Sequence, residues 1–140
     1  MNKLFRNFFI ITVLVVLVAG LFVWKWVFKE QDKSVISKTA DMVVQADVLV
    51  RDFEADENKA NIKYLNNVLV VNGSIDSKTM NDKEITVVLK NKGDVAGVSC
   101  SFDQSTIGPS TFETGKAIRV KGVCTGFLLD VVLVRCALIK

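Results

Sequence analysis

The densest group of reactive side chains in the sequence lies in residues 52–57. Four carboxylates, Asp52, Glu54, Asp56 and Glu57, fall within this segment. Paired carboxylates can act as general acid and general base, but acidic residues in such a run also cap a helix N-terminus and interact favourably with its dipole. The chain contains no histidine, which excludes Ser-His-Asp and Cys-His nucleophiles and histidine metal sites. We therefore interpret the carboxylates as a helix cap and predict that the protein is not an enzyme and has no catalytic residues.

The three cysteines are the other side chains with distinctive chemistry. Cys100, Cys124 and Cys136 are separated by 24 and 12 residues, and these spacings match neither the paired-cysteine pattern of zinc sites nor that of redox motifs. Each falls on the apolar side of a predicted strand or in a strand buried on both faces, where a thiol packs as a small apolar group. The sequence predicts no metal site and no cofactor. It leaves open whether two thiols form a disulfide in an oxidising compartment.

The elements that position these residues begin with an N-terminal apolar segment. Residues 8–24 read FFIITVLVVLVAGLFVW, in which Thr12 is the only polar side chain. A helix of about 20 residues crosses the hydrocarbon core of a bilayer, and Lys25 near its end can extend an ammonium group to the headgroups. We predict a transmembrane signal anchor over residues 8–28, preceded by a basic N-terminus over residues 1–7.

Two features of the anchor bear on its processing and orientation. Leu21 stands where a lipoprotein signal requires cysteine, and the apolar run continues beyond the small residues that precede it, so we predict that the segment is retained. Basic residues flank the segment on both sides, which makes the positive-inside rule ambiguous. We favour a single-pass inner-membrane protein with its domain in the periplasm.

The net charge of +3 belongs entirely to the N-terminal part. Residues 1–30 contain four Lys/Arg and one Glu, whereas residues 31–140 contain 14 Lys/Arg and 14 Asp/Glu. A domain of zero net charge lacks the electrostatic footprint of a nucleic-acid-binding protein. Nucleic acid is therefore disfavoured as a partner.

Helical spacing follows the anchor. Residues 29–39 are polar and are predicted to form a linker. Four apolar side chains then recur at intervals of +4, +3 and +4, which places them on one face of a helix, and Asp56 can cap a second short helix that ends near Tyr64. We predict a helical segment over residues 40–65. The four apolar residues are Met42, Ala46, Leu49 and Phe53.

Period-2 alternation replaces the helical spacing and recurs in five segments. Turn residues separate them, and the last segment is almost continuously apolar, as expected of a strand buried on both faces. Five short strands with such breaks predict a closed Greek-key barrel over residues 66–140. The five segments are 68–76, 84–90, 95–102, 116–124 and 131–139.

Several runs of residues resemble the tRNA_anti-like family of OB-fold proteins. They are ADENKANIKYL at 55–65, VLVVNGSI at 68–75, VSCSF at 98–102 and GKAIRVKGVCTGFLLDVVLVRC at 115–136, in which KGVCTGF followed by DVVL is the most specific part. The resemblance spans residues 40–139 and implies a five-stranded OB barrel preceded by helices. The predicted fold is therefore mainly β, an OB-fold Greek-key barrel preceded by one transmembrane helix and one or two short helices.

The resemblance also bears on location. Members of the family occur mainly in Bacteroidetes, and many are envelope proteins or lipoproteins, which favours a domain outside the cytoplasm. This chain departs from them by having a membrane anchor without a lipidation cysteine. A fold similarity implies no activity.

The candidate binding face follows from the way OB folds bind single strands. They use the face of the second and third strands and the adjoining loops, with aromatic rings on which bases stack. The strand positions here lack aromatic residues, and Phe127 is the only aromatic well placed to serve. The candidate residues are Thr86, Val88, Lys90, Ser99, Arg119, Lys121 and Phe127.

The predicted function is a non-catalytic binding or structural module of the cell envelope. A Thr/Ser/Val-rich face fits a protein or oligosaccharide partner better than a polyanion, so single-stranded nucleic acid, bound in the manner of an anticodon, is the alternative. In an OB barrel the third and fifth strands are parallel neighbours, so Cys100 and Cys136 are the first choice for a disulfide. Three buried free thiols are the other interpretation, and the oligomeric state is left open.

Overall fold

The computed structural model describes the backbone of residues 3–28 and 39–140 and the side chains of residues 11–23 and 39–140. The chain divides into two compact units, Met1–Lys33 and Ser34–Lys140. The predicted linker lies almost entirely outside the described residues.

The described residues of the first unit form the helix α1, over Lys3–Phe28. Its sequence is rich in Leu, Val and Phe and contains no proline or acidic residue that would end it early. All of its described side chains are exposed. Within the part of the chain that the structure describes, no helix has both the length and the hydropathy of a membrane span. The transmembrane anchor therefore stays a prediction.

The second unit is a barrel of strands with two α-helices. Its elements are β1 (Met42–Gln45), α2 (Ala46–Ala55), α3 (Glu57–Tyr64), β2 (Val68–Met80), β3 (Glu84–Leu89), β4 (Val98–Asp103), a 3₁₀ turn (Pro109–Thr111), β5 (Ala117–Phe127) and β6 (Val131–Ile139). The five predicted strands are confirmed as β2 to β6.

The sheet closes because β2 pairs on both sides. The strand order is β1-β2-β3-β4-β6-β5, and β2 also pairs with β5. The first part of β2 pairs with β5, and the part from Ile75 onward pairs with β3, with an irregularity between Ile75 and Ser77 that bends the strand. Gly73 lies just before this bend, where a Cβ atom would stand only 3.0 Å from Ala46 Cβ and 3.1 Å from Leu89 Cβ. The barrel of β2 to β6 is the predicted OB-type closure.

One hydrophobic core fills the barrel and continues into the helices. Inward-facing residues such as Leu69 and Val71 of β2 are fully buried, as are Leu49 and Phe53 of α2, which belong to the same cluster. Thus α2 packs on the core of the barrel, and the amphipathic spacing that predicted it arises from this contact.

The prediction of a helix from residue 40 is wrong at its start. Met42–Gln45 forms β1, which pairs parallel with β2 in the register Met42 to Leu69. Asp41 fixes this entry, since its backbone N donates to the carbonyl of Val68 and its Oδ2 accepts from the backbone N of Val68, both at 2.8 Å. The +4 spacing of Met42 and Ala46 spans a strand and the start of a helix, so it does not mark a helical face there.

The strand directions define two ends of the barrel. Two of the strand pairs are parallel, β1 with β2 and β4 with β6, and the remaining pairs are antiparallel. One end of the barrel therefore holds the starts of β1, β2, β4 and β6 and the ends of β3 and β5. We call this the entry end because the chain enters β1 there. Its loops are the β3–β4 connection, the β5–β6 hairpin and the turn after α3.

Candidate functional site

Part of the predicted binding face is assembled on β3 and β4. Val88 pairs with Ser99, and Thr86 pairs with Ser101 two register positions further along the same face. All four side chains are half-buried, and they alternate with core residues, so they point away from the barrel interior. This face is small, hydroxyl-rich and without an aromatic ring.

The predicted cations do not join this face. Lys90 forms an ion pair with Asp76, with its Nζ 3.8 Å from the carboxylate Oδ2. Arg119 and Lys121 lie on β5, which pairs with β2 and β6 and not with β3 or β4. Arg119 donates from Nε to Asn72 Oδ1 at 3.2 Å, and Lys121 is buried. The candidate residues of β5 therefore lie apart from those of β3 and β4 in the closed barrel.

Phe127 packs against the α2 helix. Its ring stacks on that of Phe53 with centroids 5.8 Å apart and planes inclined by 20°, and Phe53 in turn lies 6.0 Å from the ring of Tyr64. Phe102 and Phe112 are buried in the barrel. Among residues 39–140, then, no aromatic ring is fully exposed, and the predicted stacking residue is a packing residue.

A concave site lies elsewhere, in a groove of about 770 Å³. It is formed by the end of β1, the N-terminus of α2, the middle of β2, the start of β5, the end of β6, the β4–β5 connection and Asn91 of the β3–β4 connection. We call it the mouth groove. Apolar side chains such as Ile107, Ile118 and Leu138 line it beside hydrogen-bonding groups such as Asn72, Thr111 and Arg119.

The mouth groove carries charges of both signs. Asp47 and Lys140 line it with Arg119, and Asp47 is paired with Arg51 at 3.4 Å. Mixed polar and apolar walls of this kind are typical of small-molecule and peptide sites. Of the predicted binding residues, only Arg119 lies in the groove. Sequence reasoning missed the others because strands, a helix and loops from distant parts of the sequence contribute them and no local spacing links these elements.

The sequence of nearly the whole chain matches one protein family. The model of the tRNA_anti-like family matches residues 1–138. The chain belongs to the tRNA_anti-like family.

A solved structure shares the fold of this tRNA_anti-like protein. It is a crystal structure of a protein from Klebsiella pneumoniae subsp. pneumoniae MGH 78578, described as a candidate nucleic acid-binding lipoprotein. The two chains are 14% identical, the TM-score is 0.58, and the match covers 78% of this chain and 98% of the other. At this identity the likeness establishes the fold alone. No curated protein matches the sequence.

The carboxylate cluster of the tRNA_anti-like chain joins α2 to α3. Asp56 caps α3 by accepting a hydrogen bond from the backbone N of Lys59 at 3.1 Å, as predicted. Asp52 Oδ2 accepts hydrogen bonds from the hydroxyl of Tyr64 at 2.6 Å and from Lys63 Nζ at 3.0 Å. These two donors lower the pKa of Asp52, whereas burial is the main cause that raises the pKa of Tyr64. These hydrogen bonds hold α2 and α3 together and have a structural role.

The cysteines are three buried free thiols in the structure. Cys100 and Cys136 lie on the parallel neighbours β4 and β6, as the OB topology predicts. The neighbouring thiol of Cys136, together with complete burial, raises the pKa of Cys100 well above its ordinary value. Burial also raises the pKa of Cys124. The Cys100–Cys136 disulfide remains a prediction.

Among residues 39–140, the acidic and sulfur side chains form no cluster that could hold a metal ion. The prediction of a protein without a metal stays untested by this observation.

Proposed function

We propose that this protein is a membrane-anchored, non-catalytic binding module of the cell envelope, whose mouth groove takes a protein segment or an oligosaccharide. The placement of the aromatic rings supports this proposal most directly. Four of the five rings in residues 39–140 are buried, and the fifth, that of Phe127, is stacked on Phe53. Stacking of one base on an aromatic ring contributes about 1–3 kcal/mol to the free energy of binding a single strand, and this barrel offers no free ring for such stacking.

The sequence supports the anchor. Residues 8–24 contain a single polar side chain, and an unbroken apolar run of this kind, flanked by basic residues, has the composition of a transmembrane segment. The description of the Klebsiella protein as a lipoprotein favours an envelope location for this chain as well.

The mouth groove supports binding of a neutral or mixed-charge ligand. Its apolar side chains offer contact area, and its amide, hydroxyl and charged groups can orient a peptide backbone or sugar hydroxyls. The groove offers a polyanion the cations Arg119 and Lys140 but also the carboxylate of Asp47. The zero net charge of residues 31–140 offers it no compensating field.

Single-stranded nucleic acid is the second candidate, favoured by the description of the Klebsiella protein as a nucleic-acid binder. Fluorescence anisotropy of labelled single-stranded DNA and RNA with the full-length protein in detergent separates the two candidates. We expect no saturable change in the anisotropy at physiological salt, and the same anisotropy with the wild type and with Arg119→Ala. Saturable binding that weakens steeply with salt and is reduced in Arg119→Ala would establish the nucleic-acid candidate instead.

A photo-crosslinker placed in the mouth groove tests the proposal directly. Ala117 is exposed at the start of β5 and lines the groove, whereas Glu84 is exposed at the start of β3 and does not. We expect a discrete adduct in cells from position 117 and none from position 84. Sensitivity of the adduct to protease or to glycosidase distinguishes the two partner classes, and equal labelling from both positions would contradict a groove-specific partner.

A single exposed cysteine tests the location. The native thiols are buried, so Ser105→Cys, in the exposed β4–β5 connection, provides one accessible thiol. We expect a membrane-impermeant maleimide to label it without disruption of the inner membrane. Labelling only after the inner membrane is permeabilised would place the barrel in the cytoplasm and would contradict the periplasmic assignment.

A further inference from the structure

Exposed apolar side chains of the second unit are concentrated at one end of the barrel. Between residues 39 and 140, seven large apolar side chains are exposed, and five of them belong to entry-end loops or to α3 and the turn that follows it. The five are Ile62, Leu65, Val95, Leu128 and Leu129. Single exposed apolar residues are common, but a group of them marks a contact surface.

Three of these side chains lie in two connected loops. Val95 in the β3–β4 connection is 95% exposed, and Leu128 and Leu129 in the β5–β6 hairpin are 82% and 87% exposed. Asp130 joins the two loops, because its Oδ1 accepts a hydrogen bond from the backbone N of Gly97 at 2.7 Å. A second bond, from Val131 N to the carbonyl of Gly97 at 2.9 Å, lies beside it. We call Val95, Leu128 and Leu129 the apolar tip.

The α3 helix extends this surface. The backbone N of Asn66, in the turn after α3, donates to the carbonyl of Cys124 at 2.8 Å, which brings the end of α3 beside the last residues of β5. Leu65 lies next to Gly126, 3.9 Å from where a Cβ on that glycine would stand. Ile62 of α3 is 86% exposed.

We propose that the apolar tip docks onto the surface of the lipid bilayer. The inference rests on the proposed membrane anchorage. The chain enters β1 at the same end of the barrel as the apolar tip, since β1 runs parallel to β2 and begins where β5 finishes. Ten residues, 29–38, separate Phe28 from Thr39 in the sequence, and a chain of that length spans at most about 35 Å. A tether this short gives a weakly binding apolar loop a high effective concentration at the bilayer.

Depth-dependent quenching tests the docking in the full-length protein. The protein is reconstituted in liposomes of phosphatidylethanolamine and phosphatidylglycerol, and an environment-sensitive fluorophore is attached to Leu129→Cys. The matched control is Met80→Cys, an exposed apolar position away from the entry end. We expect a blue shift at position 129, and stronger quenching by lipids with the nitroxide near the headgroup than at the chain end. Neither effect is expected at position 80.

A second pair of variants tests whether the tip acts as one surface. The fluorophore is moved to Val95→Cys, with and without the substitutions Leu128→Ser and Leu129→Ser. These leucines are exposed, so their replacement leaves the core intact. We expect the quenching at position 95 to be lost in the serine variant. Unchanged quenching would contradict docking through a shared tip.

The remaining outcomes separate this inference from the proposed anchor. If the protein floats with the liposomes after alkaline extraction but position 129 is not quenched, the docking is overturned and the anchor stands. A blue shift without quenching by lipid nitroxides would assign the tip to a second copy of the chain and overturn docking on lipid. Equal quenching at positions 129 and 80 would also overturn it. If the protein does not float, both proposals fail.

Discussion

At the scale of single residues, Gly122 shows how closely β5 and β6 approach. A Cβ atom at this position would lie 2.7 Å from Cys136 Sγ and 3.3 Å from Leu133 Cβ. The absence of a side chain at Gly122 therefore leaves the space that the thiol of Cys136 occupies, which gives this cysteine a packing role.

Gly122→Ala should destabilise the barrel by about 1–3 kcal/mol, because overpacking forces neighbouring side chains to move. Thermal or denaturant unfolding of the full-length protein in detergent measures the change. The matched control is Gly108→Ala, where the nearest atom to the new methyl is Ser110 Oγ at 3.8 Å. If the clash with the thiol dominates, Gly122→Ala combined with Cys136→Ala should cost less than the sum of the single substitutions. Equal effects of Gly122→Ala and Gly108→Ala would contradict the close contact.

Asp52 should make stability depend on acid pH. Its pKa is lowered by the Tyr64 hydroxyl and the Lys63 ammonium group, whereas the unfolded chain titrates near the ordinary aspartate value of about 3.9. The stabilisation is therefore present above that value and is lost as the pH falls through the lower folded pKa. Since the side chain is 37% exposed, we expect less than about 1 kcal/mol.

Unfolding midpoints measured from neutral to acid pH check this expectation. Asp52→Asn should flatten the loss of stability below about pH 4. Asp47→Asn provides the control, because it makes the same chemical change on the same helix without touching Tyr64. A steep acid limb retained in Asp52→Asn would assign the acid sensitivity to other carboxylates.

At the scale of elements, Asp130 sets the parallel pairing of β4 with β6. The carboxylate accepts from Gly97 N at 2.7 Å immediately before Val98 pairs with Val131. Gly97 itself cannot carry a side chain there, since a Cβ would lie 2.8 Å from the carbonyl oxygen of Leu89. The hydrogen bond and the glycine together fix how the β3–β4 connection meets the β5–β6 hairpin.

Asp130→Ala should cost about 1–3 kcal/mol of folding stability, because it leaves a part-buried backbone N–H without its acceptor. Asp130→Asn retains an acceptor oxygen and should cost less. Hydrogen exchange of the Gly97 amide provides a local readout, and it should accelerate in Asp130→Ala more than the exchange of amides in β2. Equal stabilities of the two variants would show that the hydrogen bond contributes nothing measurable.

The sequence predicts the strands better than the sites, for a physical reason. The alternation along β3 and the almost continuous apolar run of β6 both reflect burial in the barrel, so each strand carries its own signal. β1 is only four residues long, and the helical interval between Met42 and Ala46 concealed it. The mouth groove is formed by elements distant in sequence, and the hydrogen bond of Arg119 with Asn72 joins positions 47 residues apart. Phe127 looked accessible in a turn-like segment, but its stacking partner Phe53 lies on a helix far away in the sequence.

At the scale of the whole molecule, the barrel and the helices before it share one core. Phe53 of α2 contacts Tyr64 of α3 and Phe127 of β5, with ring centroids 6.0 and 5.8 Å apart. Asp52 and Tyr64 tie the two helices together beside this cluster. A domain whose helices and strands fill a common core should unfold as one cooperative unit.

Phe53→Ala should therefore destabilise the barrel as well as the helix that carries it. Truncation of a buried phenylalanine costs about 3–5 kcal/mol, which is a large part of the 5–15 kcal/mol that roughly stabilises a domain of this size. Ile62→Ala is the control, because Ile62 is 86% exposed and its truncation should change stability by less than about 0.5 kcal/mol.

Native-state hydrogen exchange distinguishes a shared core from a separable helical layer. If α2 and the strands unfold together, Phe53→Ala should lower the protection of the slowest amides in β2 and β5 by the same free energy as in α2. If the helices are separable, the α2 amides alone would lose protection and the strand amides would stay at their wild-type rates. We expect the first pattern because Leu49 of α2 belongs to the same cluster of buried residues as Val71 and Leu133 of the strands. Unfolding of α2 would therefore expose the inner faces of these strands to water.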